Sequence, residues 1–134
     1  MRIELPIIDE PNTGLCAVAD LVGNGQMSKI LIATGCGNNY ISAELYNRLE
    51  HENSKFPSEI RADSSAYYLN DLTGAKVGVI KSLRLPGHAL TDIPVIVTPS
   101  FPAYQCDMIL GIPVISTGRF MVNHDSGIVI ISDE

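Results

Sequence analysis

The stretch of this 134-residue chain best suited to chemistry runs from Lys29 to Ser42, as Lys-Ile-Leu-Ile-Ala-Thr-Gly-Cys-Gly-Asn-Asn-Tyr-Ile-Ser. A strongly apolar strand reaches Ala33 and gives way to small, flexible residues. The apolar residues anchor such a loop, while Gly35 and Gly37 let backbone amides come close to whatever sits there. Reactive groups are commonly pinned in this way, at the end of a rigid strand. Cys36 could act as a nucleophile with His51, His88 or His124, but nothing in the sequence places these histidines near it, and a packed or semi-exposed thiol is the expected role. Thr34 is no base near pH 7.

Other candidates read more simply. Asp107 precedes the apolar run Met108-Ile109-Leu110 and is expected to be structural. The three histidines lie far apart near turns or helix ends, which suits surface positions better than metal ligation, so no metal is expected. Asp125-Ser126-Gly127 has the chemistry of a hairpin turn. Tyr67 and Tyr68 are expected to pack across strands. Cys16, Cys36 and Cys106 are odd in number and widely spaced, matching neither a zinc knuckle nor a dithiol motif, so reduced and mostly buried thiols are expected.

The elements that must position the Lys29–Ser42 stretch are mostly strands. Apolar runs at Pro6–Asp9, Leu15–Val22 and Met27–Ala33 are separated by turn residues, with Gly23-Asn24-Gly25-Gln26 closing a hairpin. A helix is predicted from Ser42 to Glu52. Ser42 caps it, Leu45 and Leu49 share a face, and Glu44 and Arg48 are spaced for a surface pair. Asn53–Ser58 is a polar connector. A second hairpin has arms Ala66–Leu69 and Val77–Leu85 around a polar tip at Asn70–Gly74. Pro86-Gly87 marks a turn, Ile93–Val97 a β-branched strand, Met108–Leu110 a short strand and Ile112–Thr117 a short helix with Pro113 in its first turn. Phe120–Asn123 and Gly127–Ile131 form the last hairpin. Many short strands, frequent turn residues and one good helix predict an all-β, closed or nearly closed barrel, with residues 1–134 as a single domain.

Composition narrows the function. The chain is 46% hydrophobic and 18% charged, a globular balance, and its net charge of −6 comes with nine scattered basic residues. Nucleic-acid binding needs a basic stripe, which is lacking. No apolar block is long enough to cross a bilayer and no leader pattern is visible, so a cytoplasmic protein without membrane partners is expected.

Leu31-Ile32-Ala33-Thr34-Gly35-Cys36 resembles the Asp-Thr/Ser-Gly-Ala/Ser loop of retropepsin-type aspartic proteases, with Ala33 where the family has its catalytic aspartate and Cys36 where it has a small residue. Asp107-Met108-Ile109-Leu110-Gly111-Ile112 resembles the family's second signature, two apolar residues and a glycine near the C-terminus. The 66–85 hairpin lies between them, where the family keeps its flap. The resemblance spans Leu5 to Ile131 in element order.

The resemblance implies an acid-protease barrel of retropepsin type with one short-to-medium helix, working as a homodimer without cofactor on an extended peptide or protein substrate. Each subunit would donate one loop, with the residue at position 33, Thr34 and Gly35 in the catalytic positions. Thr34 would bond to the partner loop. Cys36, Gly37 and Ile109 would contact substrate, and Asp71, Leu72, Thr73 and Gly74 would close over it. Alanine at position 33 removes both carboxylates of the shared pair, so no peptide cleavage is expected of this chain. The intact loop around Ala33 favours an engineered aspartate-to-alanine replacement in an aspartic endopeptidase. The alternative is a natural pseudoprotease that binds peptides or proteins, or serves as a dimerisation module.

Overall fold

The computed structural model describes residues 1–8, 14–53, 75–99 and 106–133. The predicted flap arm with Tyr67 and Tyr68, and the tip with Asp71, Leu72, Thr73 and Gly74, lie outside the described residues. In chain order the elements are β1 (Arg2–Ile8), β2 (Cys16–Ala19), β3 (Ser28–Ile32), β4 (Tyr40–Ser42), α1 (Ala43–Arg48), β5 (His51–Asn53), β6 (Lys76–Leu85), β7 (His88–Thr98), β8 (Met108–Leu110), α2 (Ile112–Ile115), β9 (Arg119–Asn123) and β10 (Ile128–Ser132).

The strands form one sheet in the order β5-β6-β7-β4-β8-β3-β2-β1-β10-β9. Most neighbours are antiparallel. The exceptions are β3 with β8 and β4 with β7, which run parallel. The short strand β8 is thus inserted between β3 and β4, which are consecutive in sequence.

A closed barrel was the expectation, and among the described residues the sheet stays open. What reaches β1 from the far side is the turn joining β6 to β7. Glu4 N donates to Pro86 O at 3.2 Å, and Gly87 packs so closely on Arg2 O that a Cβ there would collide with it. A turn offers one carbonyl instead of a row of alternating donors and acceptors, and proline has no N–H to return. The contact therefore does not grow into a ladder.

The predicted helix is also shorter than expected. Ser42 does cap it, accepting from Leu45 N at 3.2 Å, and Glu44 does pair with Arg48 at 2.9 Å. The helix stops at Arg48, because His51, Glu52 and Asn53 pair with Ile80, Val79 and Gly78 of β6. His and Asn are weak helix formers, and an available strand edge takes their backbone groups instead. The four-residue α2 makes a second short helix, with proline in its first turn as anticipated.

Strand alternation builds two apolar layers. Ile30, Ile32, Ile41, Val95, Val97, Met108 and Leu110 face the main core. On the opposite face Cys16, Leu31, Ile109, Tyr40 and Ile96 are successive register partners across β2, β3, β8, β4 and β7, and all five are buried. Strands covered on both faces need uninterrupted apolar runs, which explains Ile30-Leu31-Ile32 and Met108-Ile109-Leu110.

The β2–β3 turn is held by Asp20, whose carboxylate accepts from the backbone N–H groups of Gly23 (2.8 Å), Asn24 (3.2 Å) and Gly25 (2.8 Å). Gly23 and Gly25 have φ of 85° and 84°, the left-handed region in which glycine is unstrained. The bonds from Gly25 and Gly23 lower the Asp20 pKa. A carboxyl whose pKa is depressed by folding adds stability above its unfolded pKa and loses it as pH falls through its folded pKa. The difference in melting temperature between the protein and an Asp20→Ala variant is therefore expected to be largest near neutrality and to shrink below about pH 4. A pH-independent difference would show that the charge is irrelevant to the turn.

Candidate active-site loop

The loop joining β3 to β4 is fastened at both ends. Ala33 N donates to Leu110 O at 2.9 Å, extending the β3–β8 pairing by one residue, and Cys36 N turns back to Ala33 O at 3.2 Å. Cys36 O accepts from Ile112 N at 2.8 Å. Thr34 and Gly35 are exposed at the tip and Gly37 is exposed beside it. Ala33 is only 3% exposed and packs with Leu31, Cys36, Tyr40 and Ile109.

Asn39, 1% exposed, joins β7 and the β8–α2 junction to this loop through three bonds. Its Oδ1 accepts from Gly111 N at 2.9 Å, its Nδ2 donates to Pro94 O at 3.2 Å, and its backbone carbonyl accepts from Ile96 N at 2.9 Å. Gly111 allows the approach. A Cβ there would collide with Asn38 O and sit 2.6 Å from Cys36 O. The requirement is for space, since φ of −101° at Gly111 suits any residue.

Asn39→Ala is expected to destabilise the protein by roughly 2–3 kcal/mol, because it strands the buried Gly111 N–H and removes a donor from the part-buried Pro94 carbonyl. Asn39→Asp keeps the acceptor for Gly111 N but turns a carboxylate oxygen toward Pro94 O, so its deficit should grow from pH 4 to pH 7. Urea midpoints at the two pH values test both. Wild-type-like midpoints would show that Asn39 does not hold the loop.

The predicted site residues separate into two groups. Thr34, Gly35 and Gly37 lie on the accessible side of the loop, whereas Cys36 and Ile109 are fully buried. A buried Cys36 fits the packed-thiol expectation. Asp107 is structural as expected. Its Oδ2 accepts from Lys29 N at 2.8 Å, and its backbone bonds Lys29 O and Ser42 N at 3.0 Å each. It therefore ties β3 to β4 at the end away from the loop. Asp125-Ser126-Gly127 is the β9–β10 turn, with Ser126 N donating to Asn123 Oδ1 at 3.1 Å.

Sequence reasoning missed Asn39, whose three-way role requires partners remote in the chain. It also missed that Cys16, Cys36 and Cys106 share one apolar cluster. Burial, and secondarily the nearby Cys16, pushes the Cys106 thiol up to about 12, so little of it is thiolate at neutral pH. Among the described residues no His, Cys, Asp and Glu side chains group in a way that could hold a metal, and no helix is long and apolar enough to cross a membrane. A small cleft of about 130 Å³ borders the loop, lined by Asn38, Asn39, Val77, Pro94, Ile96 and Pro113 among others.

The chain shares its fold with the crystal structure of a retropepsin-like aspartic protease from Rickettsia conorii, at a TM-score of 0.56 and 14% identity, over 98% of this chain and 90% of that one. The retroviral protease-like domain of Ddi1 from Leishmania major also matches, at a TM-score of 0.48 and 13% identity, over 99% of this chain and 89% of that one. No protein-family profile and no curated protein matches the sequence. At such identity the likeness is one of fold, namely a mostly β chain with two short helices in the retropepsin-like arrangement.

Proposed function

We propose that this chain is an aspartic-endopeptidase scaffold in catalytically silent form, with Ala33 standing where the active parent carries aspartate. The observation that carries the reading is the delivery of Ala33-Thr34-Gly35 by an apolar strand, with β8 and Gly111 locked behind it and Thr34 and Gly35 exposed. In the active parent two such loops, one from each subunit, would bring two carboxyls together. Like charges at that separation share a proton. One carboxylate then takes a proton from a trapped water while the protonated partner polarises the scissile carbonyl. Thr34 would bond across to the partner loop and Gly35 would meet the peptide backbone. The proposed partner surface is supported by Ile112, which is 45% exposed and bonded through its N–H to Cys36 O of the loop. An exposed isoleucine beside a site is readily accounted for by a second copy.

The second reading is a natural pseudoprotease that grips extended peptides without cutting them. It is favoured by the fit of Ala33, whose methyl group is packed among apolar neighbours. Both readings require a dimer and a peptide groove. Sedimentation at micromolar concentration should show two copies, and titration with extended apolar peptides should perturb Thr34, Gly35 and Gly37. A strict monomer that leaves these residues unperturbed would remove both.

A further inference from the structure

We propose that the cleft between α1, β5 and the paired ends of β6 and β7 binds a small carboxylate carrying a neighbouring N–H donor, such as an acylated amino acid or the end of a peptide chain. This cleft is separate from the Ala33 loop. It encloses about 280 Å³, and among the described residues its polar lining is Tyr46, Asn47, His51, Asn53, Lys76 and Thr98, with three apolar side chains beside them. Among the described residues no carboxylate lines it, although the chain as a whole has a net charge of −6.

Strand alternation explains this sorting of charge. Successive side chains on a strand point to opposite faces. On β5 the register partners His51↔Ile80, Glu52↔Val79 and Asn53↔Gly78 put His51 and Asn53 on one face and Glu52 on the other. On β6, Lys76 shares its face with Gly78, against which the Tyr46 hydroxyl packs. Lys81 lies on the opposite face. There its Nζ is 2.7 Å from Asp92 Oδ1 and 3.9 Å from Glu52 Oε2. Asp92 and Glu52 are thus gathered by Lys81, away from the cleft, and α1 turns Glu44 toward Arg48 at 2.9 Å. Lys76 remains at the cleft as an exposed cation.

The groups at the cleft are held in defined orientations. The His51 ring lies 4.0 Å from the Tyr46 ring, centroid to centroid. Its Nδ1 is 2.7 Å from Leu49 O, and since a carbonyl can only accept, Nδ1 carries the hydrogen. In the neutral ring Nε2 is then an acceptor, suited to an N–H on the ligand. The Tyr46 hydroxyl lies 3.0 Å from Asn53 Oδ1 and 3.2 Å from Glu52 O. With its one hydrogen on the nearer Asn53 Oδ1, the Nδ2 hydrogens of Asn53 are left to offer. One cation, amide donors and one imidazole acceptor beside an apolar wall match a carboxylate with an adjacent N–H and an apolar substituent.

The test is titration of the ¹⁵N-labelled protein with N-acetyl-L-leucine and, separately, with its methyl ester. The expected result is saturable shifts at His51, Asn53 and Lys76–Gly78 with a millimolar dissociation constant. The ester should bind about tenfold more weakly, as should the acid to Lys76→Met. His51→Phe keeps the stack on Tyr46 but removes Nε2 and, with Nδ1, the bond to Leu49 O. It should therefore weaken binding of the acid and lower the thermal midpoint modestly, whereas Lys76→Met, at an exposed position, should leave the midpoint unchanged. A short leucine-ended peptide with a free C-terminus distinguishes the sources. Binding as tight as that of the acyl amino acid assigns the cleft to chain ends, and weaker binding assigns it to free small acids. Absence of saturable shifts at the cleft, equal binding of acid and ester, or indifference to Lys76→Met would overturn the proposal.

Discussion

Replacing Gly111 with alanine is expected to cost about 4 kcal/mol or more, enough to leave a marginally stable domain largely unfolded. The new methyl group would meet Asn38 O and Cys36 O, both backbone atoms. Neither can swing aside as the end of a long side chain would. Cys36 O is bonded to Ile112 N, and Gly111 N is bonded to the buried Asn39 Oδ1, so relieving the clash means dismantling the fastening between the loop and α2. The φ of −101° places no conformational demand on the residue, which makes the penalty one of overpacking alone. Gly25→Ala provides the contrast. No atom lies within 4 Å of its Cβ position, but φ is +84°, so only left-handed strain of about 1–2 kcal/mol is expected. Urea denaturation of both variants checks the ranking. A Gly111→Ala protein within about 1 kcal/mol of the original would show that the loop does not sit against the Gly111 backbone.

On the proposed protease reading, Ala33→Asp is expected to yield an endopeptidase that cuts extended, mainly apolar peptides between acidic and neutral pH and is blocked by pepstatin. Groups that act as a unit lose nearly everything when one is removed, so the gain over the alanine form should be at least about 10³-fold. The same substitution should reduce stability with a definite pH dependence. Position 33 is 3% exposed among apolar side chains, which raises a carboxyl's folded pKa above its unfolded value near 4. The protonated acid is tolerated in acid, and the deficit appears as pH rises through the unfolded pKa and is complete above the folded one. Melting temperatures of the variant and the original at pH 4 and pH 7 measure it. A folded, dimeric Ala33→Asp protein that cuts nothing would eliminate the enzyme reading and leave the peptide-binding one.

Turns and caps were legible because their causes are local. The Gly23-Asn24-Gly25 turn, Ser42 three residues before Leu45, Pro86-Gly87 and the Asp125-Ser126-Gly127 turn act over a few residues, and the residue types there already state the backbone geometry. Asp20, by contrast, read as part of a strand and proved to hold the first of these turns. The uninterrupted apolar runs at 30–32 and 108–110 likewise announced strands, and the structure showed them covered on both faces. Where the reading overshot, a remote partner intervened. Helix α1 stops early because β6, whose Ile80 meets His51, offers a sheet edge.

An apolar run shows that a strand will be buried but not which strand will lie beside it. The insertion of β8 between β3 and β4, the open sheet and the gathering of three distant cysteines all rest on pairings between segments far apart in the chain. The bonds that hold the loop are of the same kind. Gly111 and Asn39 are 72 residues apart, and Asp107 and Lys29 are 78 apart. Local preferences decide the conformation of a few neighbouring residues. Which distant donors and acceptors end up opposite one another depends on how whole faces pack, so the position of the loop was identifiable from residue types, while its fastening emerged from tertiary contacts.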